Sequence, residues 1–198
     1  MGRNEPWEQL LERGSRRIAE FVVAGIEQRV EELGLRGVEV FALKLVYVDQ
    51  GSLHIEPVTL GLEADRGRWL VEEREEPDEY TDSLVLDLVY LGRDDEALNW
   101  INLPDWDEDL DALLLREAAR ASDADPYTTV LDEVARVLAV RDWEGLVKPT
   151  DAFVVYCAEH DEGIIEKLRA VRAANPPDRA ARWQAMVEQA ASKYPPFG

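Results

Sequence analysis

The chain has 198 residues and a formal net charge of −20 at pH 7, and its hydrophobic fraction of 46% is ordinary for a globular protein. A chain of this length can bury a core without disulfides or metal, and the single cysteine, Cys157, excludes an intramolecular disulfide. The acidic balance argues against nucleic acid and anionic membranes as partners, because phosphate binding requires Lys and Arg. No apolar run is long enough to cross a bilayer, and the N-terminus shows no apolar signal segment, so a cytoplasmic protein is expected.

The negative charge is concentrated in the middle of the chain. Residues 36–162 contain 11 Lys and Arg against 32 Asp and Glu, a net charge of −21, whereas residues 1–35 carry −2 and residues 163–198 carry +3. This distribution favours a basic protein as partner, because complementary fields speed the encounter of two proteins. Solubility alone is the competing explanation of the same charge.

The first third of the chain predicts a long helix followed by a β-hairpin. Apolar residues recur at three- and four-residue steps over residues 5–33, and Gly34 is a natural stop. Residues 38–48 form a long apolar, β-branched run, which predicts an interior strand. After a turn at residues 49–52, residues 53–56 alternate with period two, which predicts a second strand nearer an edge of the sheet.

The pattern is weaker between residue 61 and residue 106. Residues 69–71 predict a short strand, and the acidic, proline-containing residues 72–79 predict an exposed loop. Residues 84–91 are compatible with a strand or a buried helix, and their length and the following Gly92 favour a strand. Residues 98–106 are irregular and aromatic.

The C-terminal half predicts four helices and one buried strand. Asp107 and Asp125 are candidate N-caps of the first two helices, and Pro126 occupies the first helical position of the second. Residues 153–157 are apolar, β-branched and aromatic, and they predict a buried strand on which the other elements pack. Asp161 is a candidate cap for the third helix, which the Asn-Pro-Pro at residues 175–177 ends before the last helix begins.

Together these elements predict one α+β domain spanning residues 1–198. Its sheet is expected to be mostly antiparallel and built on the central β-hairpin. The long N-terminal helix and several C-terminal helices are expected to pack against that sheet.

Cys157 and His160 are the candidate catalytic pair, at the end of the predicted buried strand. Nucleophilic catalysis needs the thiol near the imidazole and a third group that orients the ring, and the spacing does not provide this. Cys157 shares a strand face with Phe153 and Val155, which predicts a buried structural cysteine. A small-ligand sensor or an enzyme with a site near Cys157 and His160 stays open as the alternative function.

No metal or cofactor is predicted. Residues 159–162 are Glu-His-Asp-Glu, but four consecutive side chains rarely converge on one ion. His54 and Glu56 fall on one side of the predicted second strand, a pair more typical of a solvated strand face than of an acid and base. The chain also lacks a glycine-rich phosphate loop and a serine nucleophile elbow.

A dense group of carboxylates next to tryptophans is the candidate partner-binding surface. Negative charge at the start of a helix is explained by the helix dipole, but exposed aromatics among acidic residues also form binding hot spots. The predicted set is Trp100, Asp105, Trp106, Asp107, Glu108, Asp109 and Asp111.

Three short motifs carry a resemblance to a known family. They are Phe41-Ala42-Leu43 before Asp49, Trp100 followed by Pro104-Asp105-Trp106, and the strand at residues 153–156 leading through residues 159–162 to Asn175-Pro176-Pro177. Together they resemble a bacterial family known as a domain of unknown function, which is grouped with immunity proteins of toxin systems. The resemblance implies an α+β fold with a long first helix and assigns no catalytic residue. It implies a role as an immunity or antitoxin-like inhibitor; an uncharacterised structural domain is the remaining alternative.

Overall fold

The computed structural model describes residues 6–47, 55–64, 100–101, 108–121, 125–159 and 164–193. Within these ranges the chain forms five α-helices and four β-strands, which confirms the α+β prediction. In chain order they are α1 (Trp7–Leu33), β1 (Glu39–Tyr47), β2 (Ile55–Leu62), β3 (Trp100–Ile101), α2 (Glu108–Arg120), α3 (Pro126–Ala139), β4 (Lys148–Glu159), α4 (Ile164–Ala174) and α5 (Pro177–Lys193).

The sheet is mixed, with the strand order β3-β2-β1-β4. β1 pairs antiparallel with β2 and parallel with β4, and β2 pairs antiparallel with β3. Two of these three pairings are antiparallel, as expected for a mostly antiparallel sheet built on the hairpin, and the long parallel pair of β1 with β4 makes the sheet mixed rather than fully antiparallel. A parallel pair requires a crossover connection, and here α2 and α3 belong to the segment that returns the chain before β4 begins.

β2 is longer than the sequence pattern indicated. The predicted strand ended at residue 56, whereas β2 continues to Leu62, with Val58 and Leu60 buried. Pro57 and Gly61 interrupt the alternation, which hid the extension. Gly61 is required for close packing, since a Cβ at this position would lie 2.8 Å from the Phe41 ring.

α1 packs one face against the rest of the molecule and ends where predicted. Gly34 follows it with φ of 64°, in the left-handed region, and its N–H bonds to the Glu31 carbonyl oxygen. Gly14 permits close approach of α2, because a Cβ there would lie 2.7 Å from Leu114. α1 also contacts α3, and the Ser15 hydroxyl donates to the Val130 carbonyl oxygen at 3.4 Å.

The predicted cap of α3 is confirmed. Asp125 Oδ1 accepts a hydrogen bond from the Thr128 N–H at 3.2 Å, and Pro126 is the first helical residue. After α3 the buried Trp143 folds back: its indole N–H donates to the Leu138 carbonyl oxygen at 3.2 Å. Its ring contacts Phe153 of β4 edge-to-face, with 6.3 Å between the centroids.

β4 is buried on both faces, as predicted for the strand at residues 153–157. Phe153, Val155 and Cys157 belong to the main core cluster with α1, α3 and β1, while Val154 and Tyr156 are buried outside that cluster. The strand begins at Lys148, five residues before the apolar run that predicted it. The register shifts between residues 149 and 154, and this irregularity hid the strand's start in the sequence pattern.

Helices α4 and α5 are also confirmed. Several predictions lie outside the described residues: the turn at 49–52, the strands at 69–71 and 84–91, the loop at 72–79, and the caps Asp107 and Asp161. Among the helices that are described, none has the length and apolar composition that a membrane crossing requires. The assignment of residues 1–198 to one domain stays a prediction.

Candidate partner-binding surface

The structure describes part of the predicted acidic and aromatic set. Trp100 lies in β3, where its backbone pairs with Thr59, and Glu108 is the first residue of α2. Asp109 is exposed, but Asp111 is buried, at 8% exposure. Asp111 therefore offers a partner little accessible surface. Trp106, Asp105 and Asp107 lie outside the described residues.

Asp111 is buried because of its position on α2. Leu110 and Leu114 are buried in the core, and α2 lies against α1 and α3. Residue 111 is three positions before Leu114, so the two lie on neighbouring parts of one helix surface. The sequence pattern placed all these carboxylates in one charged run, whereas the packing of α2 separates Asp109 from Asp111.

Several exposed carboxylates lack partners within the part of the chain that the structure describes. They make neither a hydrogen bond nor an ion pair there, so their charge is open to solvent or to another molecule. They are Glu8, Glu20, Glu27, Asp109, Glu144 and Asp151.

The cations behave differently. Each Lys and Arg with a described side chain has a hydrogen bond, an ion pair, a ring contact or another electrostatic interaction, with the exception of Arg169. Most of these contacts are internal pairs such as Arg182 with Asp178 at 2.7 Å and Lys148 with Glu39 at 2.5 Å. The described cations are thus mostly engaged within the protein, and the surplus that faces outward is negative.

The perturbed carboxylates belong to the paired group. The pKa of Glu117 is lowered by hydrogen bonds from Arg120 and then Arg116, and the pKa of Glu32 is lowered by Gln28 and then Arg29. Both carboxylates lie at the surface, where such pairs add little stability. Their role is to compensate charge locally, which leaves the unpaired acids as the source of the outward field.

A groove of about 500 Å³ brings two of the unpaired carboxylates together. One wall is the second half of α1 with Glu27 and Glu31, and the other is the turn at residues 141–146 with Glu144. Arg36 joins the walls, because its guanidinium pairs with Glu31 and donates to the Gly145 carbonyl oxygen at 2.5 Å.

An apolar side chain lies next to this groove in the sequence. Val140 is 66% exposed, the only large hydrophobic residue of the described chain that is exposed, and it directly precedes Arg141 on the groove wall. Arg141 packs over the Trp143 ring at 5.7 Å from the centroid. The region thus offers carboxylates together with an apolar contact, a combination suited to a protein surface.

Cys157 is 5% exposed and lies in the core with Phe153 and Val155, as the strand register predicted. His160 and His54 lie outside the described residues. Within the described ranges no group of three His, Cys, Asp or Glu side chains could hold a metal ion.

Three buried polar side chains lie side by side on adjacent strands of the sheet. Lys44 of β1 stands directly between Thr59 of β2 and Tyr156 of β4 in the register, so the three side chains project from one face. All three are buried, and each exposes 2% of its surface or less. The sequence pattern indicates none of them, since a lone lysine in an apolar run carries no information on which residues lie beside it in the sheet.

The groove was also missed, because Glu27 and Glu144 are far apart in the chain and only the fold brings their elements together. Comparison with known proteins adds no assignment: no protein-family model matches the chain, and no curated protein or solved structure matches it.

Proposed function

We propose that this protein is a non-enzymatic, acidic binding protein of the cytoplasm that engages a basic partner protein, in the manner of an immunity or antitoxin-like inhibitor. The observation that carries the proposal is that the described cations and the described carboxylates differ in how completely they are paired within the protein. All the described cations except Arg169 have a partner within the protein, whereas six exposed carboxylates have no described partner. A basic surface would supply the partners that these carboxylates lack.

The charge acts mainly on the encounter between the two proteins. A concentrated negative field repels itself, and a cationic partner relieves that repulsion while being steered toward the surface. Steered association is fast at low salt and slows as the ionic strength rises, because the Debye length falls to about 10 Å at 0.1 M. Buried or aromatic contacts act after the encounter and set the rate of dissociation.

The proposed docking surface is the beginning of α2 with its neighbouring tryptophans. Asp109 supplies accessible charge there, and Trp100 and Trp106 are the proposed apolar anchors. Glu108 and the remaining acids of residues 105–111 complete the set, with Asp111 contributing least because it is buried.

A matched pair of charge reversals tests where the partner docks. Asp109→Lys and Asp151→Lys each reverse one exposed, unpaired carboxylate, on α2 and on β4 respectively, so they change the net charge equally. The probe is a candidate basic protein chosen from the products of adjacent genes, and the readout is its association rate. Asp109→Lys is expected to slow association more than Asp151→Lys.

Equal effects of the two variants would place the steering in the overall charge and remove the start of α2 as the docking surface. Absence of any effect, with wild-type affinity in both variants, would leave solubility as the explanation of the charge.

A further inference from the structure

β4 is the end strand of the described sheet, and a side chain occupies its outer edge. Asn175 Oδ1 accepts a hydrogen bond from the Val155 N–H at 3.0 Å, and Asn175 Nδ2 donates to the Val155 carbonyl oxygen at 2.6 Å. A residue of an antiparallel strand exchanges the same two bonds with the residue opposite it. The Asn175 carboxamide therefore stands where one residue of a further strand would lie.

The end of α4 holds Asn175 in this position. Its backbone N–H and its Nδ2 both donate to the Val171 carbonyl oxygen, at 3.1 and 2.8 Å. The residue is 6% exposed, and Pro176 and Pro177 restrict the backbone that follows. The site needs an acceptor and a donor on one planar group, which a carboxamide provides.

The strand beneath Asn175 has the composition of an edge that needs protection. Residues 152–158 read Ala-Phe-Val-Val-Tyr-Cys-Ala and contain neither a charge nor a proline. An uncharged apolar edge strand is a template for pairing with another chain unless something covers it. Two copies of β4 related by a two-fold axis at Val155 would pair antiparallel, and each Val155 would exchange its N–H and C=O with the other.

We propose that Asn175 blocks the β4 edge against pairing with a second copy of this chain. The carboxamide satisfies the Val155 backbone from within, and it fixes the turn between α4 and α5 against the edge. Loss of its three side-chain bonds frees both the backbone groups and the turn. This inference is independent of the proposed function, since it concerns an edge distant in sequence from α2 and needs no partner protein.

The test is the molecular mass of Asn175→Ala in solution, measured by light scattering over a range of concentrations. The mass is expected to rise toward twice the wild-type value as the concentration increases. The Val155 amide is expected to stay protected from hydrogen exchange, because its N–H then bonds to the second copy.

Two controls separate edge pairing from a general loss of stability. Leu114→Ala weakens the contact between α1 and α2 and leaves the bonds between Asn175 and Val155 in place, so it is expected to keep the wild-type mass. Asn175→Asp keeps an acceptor for the Val155 N–H but places a negative charge on the edge, so that two edges repel and the mass stays unchanged.

Wild-type mass for Asn175→Ala at every concentration, or the same mass increase in Leu114→Ala, would overturn the proposal. If Asn175→Ala does not fold, Asn175→Ser, which keeps a hydroxyl at the site, is measured by the same criteria.

Discussion

The two C-terminal helices and the groove differ in how their charged side chains are paired. In α4 and α5 three arginines donate hydrogen bonds to acceptors of the same chain: Arg172, Arg179 and Arg182. In the groove, Glu27 and Glu144 have no described partner. The C-terminal helices thus use their positive charge to hold the fold together. Around α1 and the turn at residues 141–146, part of the negative charge has no described partner. Each ion pair, such as Arg182 with Asp178, uses one cation and one carboxylate, so pairing leaves the net charge unchanged and determines where on the surface the unpaired carboxylates lie.

Arg179 is a partly buried cation that links two helices. Its guanidinium is partly buried and donates to the Ala139 carbonyl oxygen at 2.6 Å, at the C-terminus of α3, and burial lowers the pKa of this arginine. Arg136 of α3 donates in turn to the Ala173 carbonyl oxygen at the end of α4. Cations stabilise helix C-termini, so these two arginines link the helices through their terminal carbonyls.

The largest expected effect on stability comes from a carboxylate placed in the core rather than at the surface. Val155→Asp buries an unpaired charge in β4, where Val155 is 0% exposed, and is expected to cost several kcal/mol and unfold the protein. Val140→Asp is the matched control, because Val140 is exposed, and it should melt cooperatively near the wild-type temperature. Thermal melts followed by circular dichroism measure both variants. A soluble Val155→Asp that melts cooperatively would contradict the burial of β4 in the core.

The contribution of the internal arginine bonds to stability is tested by comparing an arginine that has a described partner with one that has none. Arg179→Met removes the donor to the Ala139 carbonyl and is expected to lower the free energy of unfolding by about 1–2 kcal/mol. Arg169→Met removes a cation without a described partner and should stay within about 0.5 kcal/mol of wild type. Urea unfolding measures both, and equal losses would mean that the internal bond does not contribute.

The smallest effect is expected at Cys157, which bears on the catalytic alternative. Burial in apolar surroundings disfavours the thiolate, so Cys157 should react slowly with thiol reagents in the native protein. Cys157→Ala should fold and keep the wild-type partner binding. Rapid labelling at neutral pH, together with loss of activity in Cys157→Ala, would favour the enzyme or sensor over the binding protein.

Local sequence signals predicted the elements whose determinants are local. The periodic apolar residues before Gly34 defined α1, and Asp125 with Pro126 defined the start of α3. The apolar run at residues 153–157 identified the core strand. Each of these features is fixed by neighbours within a few residues, so periodicity and capping rules suffice.

Tertiary packing decided what the sequence did not reveal. The parallel pairing of β1 with β4 joins segments that no local pattern connects, and β2 continues beyond Pro57 and Gly61 because it stays paired with β1 as far as Leu62. Asp111 was grouped with Asp109, but contact of α2 with the core buried one and left the other exposed. The groove between α1 and the later turn likewise exists only in the folded chain.

The proposed binding of a basic protein is tested most directly by the association rate with a candidate basic protein from an adjacent gene, at low and at high salt. The association rate is expected to fall steeply as salt rises, and the dissociation rate is expected to change little, because the unpaired carboxylates act on the encounter. An association rate that does not depend on salt would contradict the proposal.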